Sequence, residues 1–403
     1  MRLTQLVYGL SVKAAEKFAR YATFSPTPLS LKQLSAFAMH GDIAKSTAFL
    51  RSELPVRVAN ILQEIHLLPK KLLTTPSATL VTSWYEESFS ELADYENIEL
   101  TPKHCDEYLK FLEHMHRRHE NVVETMAFGV MEMREAHGTD SALENQMQYF
   151  LDRLYTMRIS IRMLVSQHLL VFGLDSNQPK RFVGCIDQHC DVVEILEDAY
   201  SDAKMLCDHY YADCPEMKIN LANAVNGSIK FVYVPSHLYH ILFELLKNAM
   251  RAVVERGRNP EDDEFPPIDV LIVDGKHNVT IKISDKGGGF PRSVADLLFR
   301  YTFTTAHGSK GKPLNVGQTG NAPLAGYGYG LPLSRLYARY LHGDLTVAGL
   351  EGYGTDAFVF LMRRDFEADE LLPVFNRTSA RRYEPARTPV ADWAERRSLL
   401  EKP

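Results

Sequence analysis

The chain has 403 residues, 45% hydrophobic and 24% charged, enough for two or three domains that each bury a core. Its 45 basic and 51 acidic residues give a formal charge of −6, which excludes a global basic field drawing it to nucleic acid or an acidic membrane. Cys105, Cys185, Cys190, Cys207 and Cys214 lack C-x-x-C spacing and read as free thiols in a reducing compartment, and no stretch approaches the roughly 18 apolar residues of a membrane span.

The first 25 residues carry Arg2, Lys13, Lys17 and Arg20 against a single acid, Glu16. Such a start is compatible with a mitochondrial transit peptide, although composition alone favours the first helix of the fold. From there to about residue 175 the pattern is helical. In 56–68, Val56, Ala59, Ile61, Leu62, Ile65 and Leu68 fall near helical period, and Pro69 follows as a stop. Residues 104–137 and 144–172 are two further long periodic stretches without proline. Long helices joined by short loops predict an antiparallel bundle. Residues 173–182, rich in Gly, Asn and Pro, read as a linker.

Beyond it the spacing predicts a helix over 191–211, a strand over 229–235 and a helix over 236–256. Two alternating strands follow, 268–274 and 278–285, then a glycine-rich stretch (308–330), a helix (331–342) and a closing strand (355–361). This mixture predicts an α/β domain with helices on one face of a sheet. The segment 367–403, rich in charge and proline, reads as an extended tail or interaction arm. The expected organisation is an N-terminal helix or targeting segment (1–25), a four-helix-type bundle (26–177), an α/β domain (178–366) and a tail (367–403).

Three local patterns carry chemistry. His240, Glu244 and Asn248 stand at i, i+4 and i+8 of the 236–256 helix, on one face, while Leu238, Ile241, Leu242, Leu245, Leu246 and Ala249 supply an apolar one. Alone, such a polar stripe is usually solvated surface. Asp285-x-Gly287-x-Gly289 follows a strand directly, offering an acceptor and a backbone that approaches a ligand closely. Gly326-Tyr327-Gly328-Tyr329-Gly330-Leu331 runs into a helix, whose N-terminal N–H groups favour phosphate. Either loop singly is more often a tight turn. No G-x-x-x-x-G-K-[ST] occurs, and Pro291 after the first loop does not fit a dinucleotide fingerprint.

Taken in order, and with Gly354-Thr355-Asp356 as a fourth element, these pieces match the Bergerat signature, and the chain resembles the GHKL ATPase/kinase superfamily. Outside that site it resembles the mitochondrial pyruvate dehydrogenase kinases over nearly its whole length. The matching stretches include SPTPLSLKQ (25–33), LRSELPVRVANILQEI (50–65), RHENVVETMAFGV (118–130), YFLDRLYTMRISIRML (149–164) and a late Asp392-Trp393.

The resemblance implies a Bergerat α/β sandwich that uses ATP and Mg2+, with K+ possible, to phosphorylate and inactivate E1α of the pyruvate dehydrogenase complex in the mitochondrial matrix. Asp285 would meet the adenine amino group with Thr355 in support, Asn248 the magnesium, and the loop Gly326–Gly330 the phosphates. Glu244 would be the general base, hydrogen-bonded by His240. Residues 301–325, with Thr302, Thr304 and Thr305, would form the ATP lid.

The same resemblance implies docking of the E2 lipoyl domain near Pro28, Leu29 and Gln33, a role for Asp392 and Trp393 in that docking and in a homodimer, and a pocket for pyruvate-like acids around Tyr85, His119 and Arg158. Phe24, Leu29, Leu31 and Leu34 are apolar enough to line the docking pocket, or an ordinary helical core. Asn121 and Met157 depart from the family pattern around the acid pocket, as does SAFAMHGDIAKST after Gln33. Branched-chain 2-oxoacid dehydrogenase kinase, a non-catalytic GHKL module and a sensor histidine kinase are the competing readings.

Overall fold

In the computed structural model the described residues are 11–138, 141–173, 181–224, 227–259, 263–301, 303 and 328–373. The helical region comprises α1 (Val12–Tyr21), α2 (Leu31–His40), α3 (Ile43–Leu67), α4 (Lys70–Leu73), α5 (Pro76–Asp94), α6 (Pro102–Arg118), α7 (Val122–His137) and α8 (Ser141–Phe172). α3 packs against α5 and α8, α5 against α7, and α6 against α8. α1 belongs to this core, because Phe18 and Tyr21 are buried edge-on against Phe89. Among the described residues no helix is long and apolar enough to cross a membrane.

Two sequence expectations change here. The stretch 104–137 is two helices, broken at His119–Asn121. Neither Pro nor Gly marks the break, whose cause is tertiary: the Arg158 Nη2 donates at 3.0 Å to the carbonyls of both His119 and Glu120. α3 begins at Ile43 instead of 56 and runs through Pro55, where buried Leu50, Leu54, Val56 and Val58 hold the helix across the missing N–H.

The second region holds β1 (Phe182–Val183), β2 (Ile186–Asp191), α9 (Val192–Tyr211), β3 (Met217–Ala222), β4 (Lys230–Tyr233), α10 (Pro235–Arg256), β5 (Ile268–Asp274), β6 (Asn278–Gly288), α11 (Gly330–Tyr340), β7 (Asp344–Leu350) and β8 (Tyr353–Met362). A small sheet runs β1-β2-β4, and a larger one β3-β5-β6-β8-β7, in which only β3 and β5 pair in parallel. Period-two burial explains the larger sheet: Val270, Ile272, Val279, Ile281, Ile283, Ala357 and Val359 lie inward, where α10 covers β6. β1, β2, β3 and β7 escaped sequence reading: β1 is two residues long, and β2, β3 and β7 bury fewer apolar side chains than β5 or β6, leaving little alternation to detect.

The tail expectation needs correction at its start. Residues 368–373 run against the helical region instead of standing free: Asp369 bridges to Ser30, Leu31 N–H donates to Ala368 O, and Glu370 N–H to Leu29 O. The Glu370 carboxylate, 3% exposed, takes both ends of the Arg57 guanidinium at 2.7 and 2.8 Å, the Leu29 N–H and the Tyr340 hydroxyl. Residues 374–403, with Asp392 and Trp393, lie outside the described residues.

Candidate active site

α10 turns its buried stripe of Leu238, Ile241, Leu242, Leu245, Leu246 and Ala249 to the core, which leaves Glu244, Lys247 and Asn248 facing a cavity of about 340 Å³. Across it stand Asp285 and Thr355, paired in register between β6 and β8. Ile283, Val294, Leu298, Val347 and Ala357 give an apolar wall, and Gly289, Gly328, Gly330, Leu331, Phe303 and Arg251 are among the other lining residues. The helix motif and both glycine motifs therefore converge on one space, shaped for a flat apolar group with a charged end.

Asp285 is 8% exposed and accepts the Gly287 N–H at 2.8 Å. Burial pushes its carboxyl up to about 6, against the lowering effect of hydrogen bonds from the Gly287 and Thr355 backbone. Gly289 has φ +64°, and a β-carbon there would run into the Leu350 carbonyl, so the turn needs glycine. Gly287 does not line the cavity; its α-carbon packs on Ala252 of α10. Tyr329 also departs from expectation. It is 6% exposed, with its ring against Tyr301 and Tyr155 at centroid distances of 4.9 and 6.0 Å, away from the cavity. Thr304, Thr305, Gly326 and Tyr327 lie outside the described residues.

Glu244 Oε1 accepts from Lys247 Nζ at 2.7 Å, while Oε2 lies against the α-carbon of Gly330, the first residue of α11. His240 does not make the expected hydrogen bond to Glu244. Its Nε2 has no partner among the described residues, its ring packs on Tyr337 at 4.8 Å, and burial holds its pKa below the ordinary value against the raising charge of Glu244. Sequence reasoning missed Lys247, Phe290, Val294, Leu298 and Val347; only Lys247, one turn from Glu244, left a local signal.

No group of three or more His, Cys, Asp or Glu is placed to hold a metal among the described residues. Mg2+ fits nonetheless, since it keeps waters and substrate phosphates in its shell and needs few protein oxygens. The Asn248 side chain, half-buried on the cavity wall, would supply one.

A further cavity in the helical region, of about 150 Å³, is lined by Leu29, Gln33, Leu34, Phe37, Phe49 and Phe172 among others. Leu29, Gln33 and Leu34 thus line one cavity, and Gln33 also closes the α2 capping box with Ser30. Leu31 is instead fully buried in the core, Phe24 is 53% exposed, and neither they nor Pro28 line the cavity. Elsewhere, Tyr85 stacks on His119 at 4.4 Å, Ser88 Oγ meets His119 Nε2 at 3.0 Å, and Arg162 meets His116 at 3.1 Å. Arg158 Nε, Arg162 Nη1 and the Tyr85 hydroxyl are buried without a partner among the described residues. Burial lowers His119 to about 3 and His116 to about 4, so both are neutral beside the two arginines.

A mixed sheet covered by helices, with an asparagine-bearing helix and glycine turns closing one cavity, defines an ATP-binding domain of the GHKL class. The family model described as Histidine kinase-, DNA gyrase B-, and HSP90-like ATPase matches residues 233–365, and that of mitochondrial branched-chain alpha-ketoacid dehydrogenase kinase matches residues 28–187. The mitochondrial pyruvate dehydrogenase (acetyl-transferring) kinase of Drosophila melanogaster is 47% identical over 411 residues, covering 100% of this chain and 98% of its own. The Ascaris suum kinase of that name is 47% identical, with 98% and 97% covered, and human isozyme 3 is 47% identical, with 94% and 93% covered. The chain belongs to the family of mitochondrial pyruvate dehydrogenase kinases.

Proposed function

We propose that this chain transfers the γ-phosphate of ATP to a serine of E1α of the pyruvate dehydrogenase complex in the mitochondrial matrix, and so inactivates it. The observation that carries the reading is the convergence of Glu244, Asn248, Asp285, Thr355 and the Gly328–Gly330 turn on one cavity, in a chain 47% identical along its length to kinases of that name. The apolar wall takes adenine, and the Asp285 carboxylate accepts from its amino group. The α11 N-terminus at Gly330 directs N–H groups and a positive dipole end at the phosphates. Asn248 would hold Mg2+, which would supply charge neutralisation at the phosphates, with K+ possible beside it. Glu244 takes the serine proton as the oxygen attacks phosphorus.

The helical region, read as a four-helix-type bundle, serves docking and regulation. The apolar cavity at Leu29 and Gln33 suits the lipoyl group of an E2 lipoyl domain. Arg158, Arg162 and Tyr85, with unpartnered buried donors, suit a small carboxylate of the pyruvate type. A homodimer fits the outer face of the larger sheet, where Leu271, Leu350 and Tyr353 are 38%, 60% and 57% exposed, with the tail as an arm between subunits.

The substrate is tested by offering purified pyruvate dehydrogenase E1 and branched-chain E1 side by side with labelled ATP. Labelling confined to the first is expected. Labelling of branched-chain E1 alone would keep the chemistry and overturn the substrate.

A further inference from the structure

Lys247 stands one turn beyond Glu244 on α10, and both side chains line the cavity. Their ion pair spans 2.7 Å, with only 9% of the lysine and 14% of the glutamate side chain exposed. The carboxylate is engaged on both sides, by the ammonium at Oε1 and by the Gly330 α-carbon at Oε2. A serine hydroxyl approaching the base therefore meets a carboxylate whose charge the ammonium already offsets. The lysine has the means to leave: its ammonium carries three donors on a flexible four-carbon stem. A triphosphate whose terminal group reaches Gly328 and Gly330 brings more negative charge to this end of the cavity than one carboxylate carries.

We propose that Lys247 exchanges partners, leaving Glu244 for the γ-phosphate when ATP is bound, so that the base is freed only when a phosphoryl donor is present. The inference rests on the reading of Glu244 as base and of the cavity as the ATP site. In the transfer the serine oxygen–phosphorus bond forms while the bond from phosphorus to the ADP oxygen breaks. The serine proton goes to Glu244, and the ADP β-phosphate keeps the bonding electron pair. Lys247 stays on the oxygens of the moving phosphoryl group and makes no covalent bond. ADP has no γ-phosphate, so with ADP bound Lys247 remains paired with Glu244.

The test is calorimetric binding of Mg-ATP and Mg-ADP to the full chain, as wild type, Lys247→Met, Lys247→Arg, Glu244→Gln and the double variant Glu244→Gln/Lys247→Met. Lys247→Met is expected to weaken ATP about tenfold, the scale of one charge-assisted hydrogen bond, and ADP less than about twofold. Lys247→Arg keeps most of the preference for ATP. Glu244→Gln releases the lysine in advance, so ATP tightens several-fold while ADP does not, and the double variant loses that gain. ADP binding reports that each variant is folded. Equal weakening of both nucleotides by Lys247→Met, or a wild-type ratio of the two affinities in Glu244→Gln, would overturn the exchange. The base is judged separately, by phosphate transfer. Glu244→Gln that still transfers phosphate while tightening ATP would remove the base and keep the exchange. Lost transfer with an unchanged affinity ratio would keep the base and remove the exchange.

Discussion

The α-carbon of Gly330 faces the Glu244 carboxylate so closely that a β-carbon there would collide with Oε2. The start of α11 therefore doubles as the rest on which the Glu244 carboxylate is positioned. Gly330→Ala is expected to lower kcat at least about tenfold, because even a displacement of about 1 Å is costly in catalysis. Stability should change by less than about 1 kcal/mol, since alanine suits a helix start and the colliding atom ends a flexible side chain. Transfer kinetics and a denaturant titration on the same sample separate the two effects.

Asp285 predicts a pH dependence. Its carboxyl titrates at about 6 because burial disfavours the charged form, and only the charged form accepts freely from an adenine amino group. Protons and ATP therefore compete, and affinity falls as pH drops through that value. Calorimetry at pH 5 and pH 7.5 should show about tenfold weaker ATP binding at the lower pH. In Asp285→Asn the affinity should be weak at both and nearly flat.

Arg57 is fully buried, and Glu370 supplies its main counter-charge. Burial alone would lower the arginine pKa; the charge and hydrogen bonds of Glu370 raise it instead. Removing Glu370 leaves Arg57 with Glu53, 2.9 Å from its Nε, as the remaining counter-charge, and removing Arg57 leaves the Glu370 carboxylate buried without one; breaking such a buried pair typically costs about 3–5 kcal/mol. Glu370→Gln or Arg57→Met should thus lower the unfolding free energy by that order in a denaturant titration. Loss of less than about 1 kcal/mol would mean that the strap is dispensable.

Gln148 of α8 joins the helical region to the approach of the second glycine turn. Its Nε2 donates to Phe299 O and its Oε1 accepts the Tyr301 N–H, both at 3.0 Å, while the Tyr301 hydroxyl donates to Asp152 at 2.7 Å. Gln148→Leu keeps the size and removes both bonds. Its KM for ATP should rise several-fold in steady-state kinetics with E1 saturating, because Phe303 just beyond lines the nucleotide cavity.

The active-site half of the chain was the more legible because its signals are local. Glu244 and Asn248 share a helix face, and 268–274 and 278–285 alternate cleanly, so periodicity located the helix and strands, while the order of the motifs and the family resemblance pointed to the site. What escaped depends on distance or direction. Arg57 and Glu370 are 313 positions apart, and nothing near either predicts their pairing. The break at His119 is set by Arg158 from another helix. The spacing of Gly328 and Gly330 located a backbone turn but not the direction of the Tyr329 ring between them, which points into the aromatic cluster with Tyr155 and Tyr301. The pairing of Lys247 with Glu244 needed rotamers as well as spacing.

The most direct test of the account is transfer of labelled γ-phosphate from ATP to pyruvate dehydrogenase E1 by wild type and Glu244→Gln, with ATP binding measured on both. Serine labelling by the wild type that falls at least about a hundredfold in the variant, while ATP still binds, is the predicted result. Undiminished labelling by Glu244→Gln would contradict the assignment of the base. ATP binding without labelling of E1 by the wild type would contradict the account as a whole and leave a GHKL module that binds nucleotide without transferring phosphate.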